Sequence, residues 1–139
     1  MRTTAERNDG KAWVNIQPWV DPENQPKVSL LRHIFSSRGQ AVPTATWVPG
    51  HTSGEQPTHT ELGIQHGAGH NALTQLAEAG VKPPEHWISI QDHTRRGLIF
   101  AVPRDEEPTA ALVYILAASM VLSQIPTDDR WLAGFVTQV

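Results

Sequence analysis

The sequence predicts an α+β fold: a ferredoxin-like βαββαβ plait over residues 58–139, preceded by an N-terminal βαβ-like extension over residues 1–57, the whole forming one domain. Three observations predict it. From Thr58 onward, apolar runs alternate between the two-residue period of strands and the helical period. The connection Asp92–Arg96 (DHTRR) is five residues long. A parallel crossover needs about a dozen residues or more, so the strands flanking DHTRR must be antiparallel neighbours. The two other connections carry helices and read as right-handed βαβ units, and two such units joined by a hairpin make the plait.

The elements follow in order. Ala12–Gln17 (AWVNIQ) alternates as a strand does, and Pro18, Pro22 and Pro26 mark an irregular connection. Ser29–Ser37 (SLLRHIFSS) places Leu30, Leu31, Ile34 and Phe35 on one helical face, and Gly39 is a stop signal. Ala45–Val48 reads as a strand and residues 49–57 as a loop. Thr60–His66 is a strand, Asn71–Ala79 a helix ended by Gly80, and Trp87–Gln91 and Gly97–Val102 the strands of the hairpin. Asp105 is an expected N-cap for the apolar helix Ala110–Leu122, and Trp131–Val136 is the last strand. Trp47, Trp87 and Trp131 each stand near a strand start, which raises an internal repeat as a further expectation.

Composition narrows the function. At 139 residues, 39% hydrophobic and 18% charged, the chain can bury one core and is not disordered in type. A net charge of −3 argues against a wholly basic nucleic-acid footprint. Cysteine is absent, which removes disulfides, thiolate metal sites and thiol nucleophiles. Residues 1–11 show no apolar signal core, so a cytoplasmic protein is expected. Ala110–Leu122 is apolar over 13 residues. A membrane span needs roughly 20, so a buried helix is expected and no membrane contact.

Chemistry concentrates in residues 64–71, IQHGAGHN. Gly67-Ala68-Gly69-His70-Asn71-Ala72 has the form G-x-G-x-x-A between a strand and a helix, with Asp92 placed 25 residues beyond Gly67 and Arg95 and Arg96 following it. A dinucleotide site also needs a doubly wound parallel sheet, which DHTRR forbids. Two readings remain: a tight strand-to-helix turn that uses glycine for backbone freedom, and a small anionic ligand held by Gly67, Gly69, His70, Asn71, Arg95 and Arg96 at a helix start. His66, His70 and His93 have the ordinary pKa for acid–base work, and Asp92 could orient one of them, giving His66, His70, Asp92 and His93 as catalytic candidates. No metal motif is present, and the sequence specifies no cofactor. Arg96-Gly97 and Phe100 match part of an RNA-binding signature whose other aromatics are missing.

The expected function is therefore binding of a small anionic ligand, with histidine-assisted catalysis open. The alternative is a structural or regulatory domain that assembles with itself. The apolar helix and the two-sided apolar strands Gly97–Val102 and Trp131–Val136 suggest a homodimer. Dinucleotide and RNA binding rank behind both.

Overall fold

The computed structural model describes residues 12–24, 40–50, 52–53 and 56–137. The elements are β1 (Ala12–Pro18), a 3-10 turn (Pro22–Asn24), β2 (Thr44–Val48), β3 (Thr52–Ser53), β4 (Gln56–Pro57), β5 (Thr60–Gln65), α1 (Ala72–Glu78), β6 (Ile88–His93), β7 (Gly97–Val102), α2 (Pro108–Leu122) and β8 (Trp131–Thr137). The segment 49–57, expected as a loop, contains the small β3–β4 ladder. The helix expected at Ser29–Ser37 lies outside the described residues.

Six strands form one sheet in the order β6-β7-β5-β2-β1-β8, and every neighbouring pair is antiparallel. This corrects the ferredoxin-like plait. The β6-β7-β5 part and its hairpin match the expectation. In the plait, β8 would then lie against β5. Instead β2 and β1 occupy that side, and β8 pairs with β1 at the far edge. The βαβ-like extension is corrected too, since β1 and β2 are antiparallel neighbours inside the main sheet. The internal repeat fails with it: β5 and β6 run parallel around β7, whereas β1 and β2 do not. With two α-helices among the described residues, the protein is a sheet-dominated α+β structure.

The length of α2 explains how the chain reaches the far edge. Its 15 residues span about 22 Å at a rise of about 1.5 Å per residue. Passing from β7 to β8 crosses four strand spacings, about 19 Å. The helix packs against β5, β2 and β1 on the way. A span of that length could deliver β8 to either position, so antiparallel pairing among β1, β2 and β5 decides.

One face of the sheet packs on both helices. Alternation supplies that face: Val14 and Ile16 from β1, Ala45 and Trp47 from β2, Leu62 and Ile64 from β5, and Leu98, Phe100 and Val102 from β7. Leu76 of α1 and Ala111, Ile115, Ala118 and Leu122 of α2 close the core. Each large side chain buried here contributes about 1.5–3 kcal/mol relative to exposure. Trp87, Phe100 and Tyr114 form a mutual aromatic cluster with ring centroids 5.4–6.0 Å apart.

The opposite face carries no helix among the described residues. Its middle is polar: Thr46 donates to Asn15 at 2.9 Å, and Thr44 to Gln17 at 3.2 Å. β1 and β2, from the N-terminal third, extend the sheet sideways. The outer side of α2 is also apolar, with Val113 and Met120 exposed.

No helix among the described residues is long and apolar enough to cross a membrane.

Candidate functional site

β5 and β6 run in one direction and β7 in the other. The loop after β5 and the turn between β6 and β7 therefore emerge at the same end of the sheet. This brings the two halves of the expected site together. Gly67, Ala68, Gly69 and His70 from the loop and His93, Thr94 and Arg95 from the hairpin line one groove of about 640 Å³, with Gln124 beyond the end of α2 completing it.

Three local features shape the loop. Gln75, on α1, donates its amide to the carbonyls of Ala68 and His70, each at 3.0 Å. Gly69 takes φ +85°, which glycine adopts without the usual side-chain penalty. Asn71 stands at the N-cap in left-handed geometry, at φ 57°, and its side chain makes no capping hydrogen bond. The cap comes from elsewhere: Asp92 accepts a hydrogen bond from the Leu73 N–H at 3.2 Å. The positive end of α1 is therefore already met by a carboxylate of the protein.

The hairpin is fixed by His93. Its Nδ1 accepts from the backbone N–H groups of Arg95 and Arg96 at 3.1 and 3.2 Å. A ring nitrogen that accepts carries no proton, so in the neutral ring the proton sits on Nε2. Gly97, at φ +77°, closes the turn. Loop and hairpin are joined directly by the Thr94 hydroxyl and His70 Nδ1, 2.7 Å apart.

The expected site residues separate into four groups. Gly67, Gly69, His70, His93 and Arg95 line the groove. Asn71, at the N-cap of α1, does not line the groove, and Asp92 is engaged at α1 rather than hydrogen-bonded to a histidine. Arg96 lines a smaller depression of about 130 Å³ on the open sheet face, with Glu61, Gly63 and Ile99. His66 is 1% exposed and does not line the groove. Its Nδ1 accepts from the Ala68 N–H at 3.3 Å, and its Nε2 is buried without a partner. Burial lowers the His66 pKa, an effect only partly opposed by the nearby charge of Asp92.

Sequence reasoning missed Thr94, Gln75 and Gln124. Thr94 stands within DHTRR, between residues already singled out. Gln75 and Gln124 carry no local signal, because their roles arise from packing. Among the described residues, no three His, Asp or Glu side chains gather as metal ligands.

A second polar cluster lies away from the groove. Glu106, before α2, accepts a hydrogen bond from Trp87 Nε1 at 2.7 Å and pairs with His86 Nε2. The Trp87 hydrogen bond, then that from His86, holds the Glu106 carboxyl below its usual pKa.

Phe100, the aromatic of the partial RNA-binding signature, is fully buried and offers no ring to a base. The antiparallel sheet likewise lacks the parallel crevice of a dinucleotide domain. No family model matches the chain, and neither a curated protein nor a solved structure matches it.

Proposed function

We propose that the groove binds a small anionic molecule. One observation carries this reading: two separate turns and the end of α2 converge on a single concavity bearing a guanidinium, two imidazoles, a hydroxyl and an amide. Its volume, about 640 Å³, falls in the range typical of small-molecule sites, about 300–1,000 Å³. Arg95 supplies permanent positive charge and a planar donor array suited to a carboxylate or phosphate. Thr94, Gln124 and the backbone of Gly67–Gly69 supply polar contacts close to the ligand. Histidine-assisted chemistry, if the ligand is a substrate, rests on His70 and His93. Buried His66 and helix-bound Asp92 take supporting places.

Thermal unfolding with inorganic phosphate and with citrate tests the reading. A ligand of the native state raises the melting temperature with concentration. Arg95→Ala should remove that rise while leaving the melting temperature of the free protein near that of the wild type. Hydrogen bonds to charged groups contribute about 1.5–3 kcal/mol, so affinity should fall about tenfold or more.

The second reading, a domain that assembles with itself, is favoured by one observation: the uncharged edge strand β8.

A further inference from the structure

The two histidines of the groove are held through the same ring atom by different kinds of partner. His70 Nδ1 lies 2.7 Å from the Thr94 hydroxyl. A hydroxyl both donates and accepts, so this contact persists when His70 is protonated, with its direction reversed. His93 Nδ1 accepts from the backbone N–H groups of Arg95 and Arg96 at 3.1 and 3.2 Å. A backbone N–H only donates, so a proton on that Nδ1 breaks both bonds at once. The charge also lands beside two guanidinium-bearing residues. Arg95, whose backbone the bonds hold, lines the groove.

We propose that His93 is a positioning residue of the anion groove: its unprotonated Nδ1 holds Arg95 in place, and protonation releases the β6–β7 turn and the anion with it. The hold on the turn stands on the hydrogen bonds alone; the release of an anion rests on the groove reading above. The sign follows from the acceptor. The bonds are present while Nδ1 is free of a proton and are lost as the pH falls. This opposes the ordinary expectation that imidazoles bind anions more tightly in acid. The other titratable groups around His93 are few. His70 faces it across the groove, Arg95 and Arg96 belong to its own turn, and the Asp92 carboxylate is engaged by the Leu73 N–H. His66 is bonded to the Ala68 N–H. The first turn of α1 carries no acidic residue, and Ser123, Gln124 and Ile125 after α2 carry no charge.

Amide replacements separate the two ring nitrogens. The side-chain oxygen of Asn stands as many bonds from Cα as Nδ1 does, and that of Gln as many as Nε2. Neither amide titrates. In the ligand-free protein, the Arg95 and Arg96 amide resonances should move in step with the His93 ring between about pH 8 and about pH 5, the range in which imidazoles titrate. They should stand still in His93→Asn. Sulfate, a dianion throughout that range, probes the groove. At the alkaline end His93→Asn should bind it as the wild type does, and His93→Gln about tenfold more weakly, the loss expected for two hydrogen bonds. At the acid end the wild type should fall about tenfold below His93→Asn; His70 is common to both and cancels. Arg95 and Arg96 amides that ignore the His93 titration would overturn the proposal. So would a His93→Gln protein that binds as the wild type does while His93→Asn does not, which would make Nε2 a ligand contact. A turn that titrates as stated in a protein that binds no sulfate bears out the hold on Arg95 and refutes the groove reading alone.

Discussion

The carboxylate of Asp92, on β6, accepts a hydrogen bond from the Leu73 N–H in the first turn of α1 at 3.2 Å. A strand thereby caps a helix whose own N-cap residue, Asn71, makes no capping side-chain bond. Caps of this kind contribute about 0.5–2 kcal/mol. Asp92→Ala should lower unfolding stability by about 1 kcal/mol in urea, and Asp92→Asn by less, since the amide oxygen still accepts. If Asp92 instead oriented a groove histidine, Asp92→Asn would change ligand binding more than stability.

Glu106 joins the turn before β6 to the turn before α2. Removing it leaves Trp87 Nε1, on a residue 6% exposed, without its acceptor. Glu106→Ala should therefore cost about 1–3 kcal/mol. His86→Ala should cost less, because the His86 side chain is 59% exposed and exposed pairs are weak. The Glu106 pKa is held below its ordinary 4.5, so its contribution is complete above that pH. It is lost as the pH falls through the lowered value. Glu106→Gln should remove this acid-side loss; a variant with the wild-type acid transition would contradict the assignment.

Gly97 and Gly69 both take positive φ, yet replacement should affect them unequally. At Gly97 a Cβ would lie 2.1 Å from the Ile64 carbonyl oxygen, a backbone atom of the central strand. Strain and overlap add, and Gly97→Ala should destabilise by about 3 kcal/mol or more. At Gly69 nothing lies within 4 Å. Gly69→Ala should cost about 1–2 kcal/mol, the backbone penalty alone. Paired urea melts check the order.

His66 makes stability depend on pH in a definite direction. Its folded pKa lies below the ordinary 6.5 because burial disfavours the imidazolium. Between the two values the unfolded chain binds more protons, so stability rises with pH there. The contribution is complete above 6.5 and declines as the pH falls towards the folded value. His66→Gln, which retains a side-chain acceptor for the Ala68 N–H, should flatten this part of the profile. An unchanged slope would mean that His66 does not titrate as a buried neutral group.

Much of this architecture was readable from local signals. Strand alternation located the cores of β1, β2, β5, β7 and β8, and DHTRR fixed the β6–β7 hairpin. Strand order was not readable, because the segment from Pro103 to Arg130 can reach several positions and pairing among distant strands chooses between them. The same limit governed the groove: loop and hairpin were identified separately, and only the parallel course of β5 and β6 puts them side by side. His66 was misplaced for a reason the sequence did contain. It continues the two-residue alternation of Leu62 and Ile64, so it faces the core with them.

The groove itself is tested most directly by backbone amide chemical shifts during a phosphate titration. The account predicts saturable shifts at Gly67, Gly69, His70, Thr94 and Arg95, with little change at Gly63 and Arg96 on the open face, and loss of the response in Arg95→Ala. Shifts scattered over the surface, or an Arg95→Ala protein that responds as the wild type does, would contradict it.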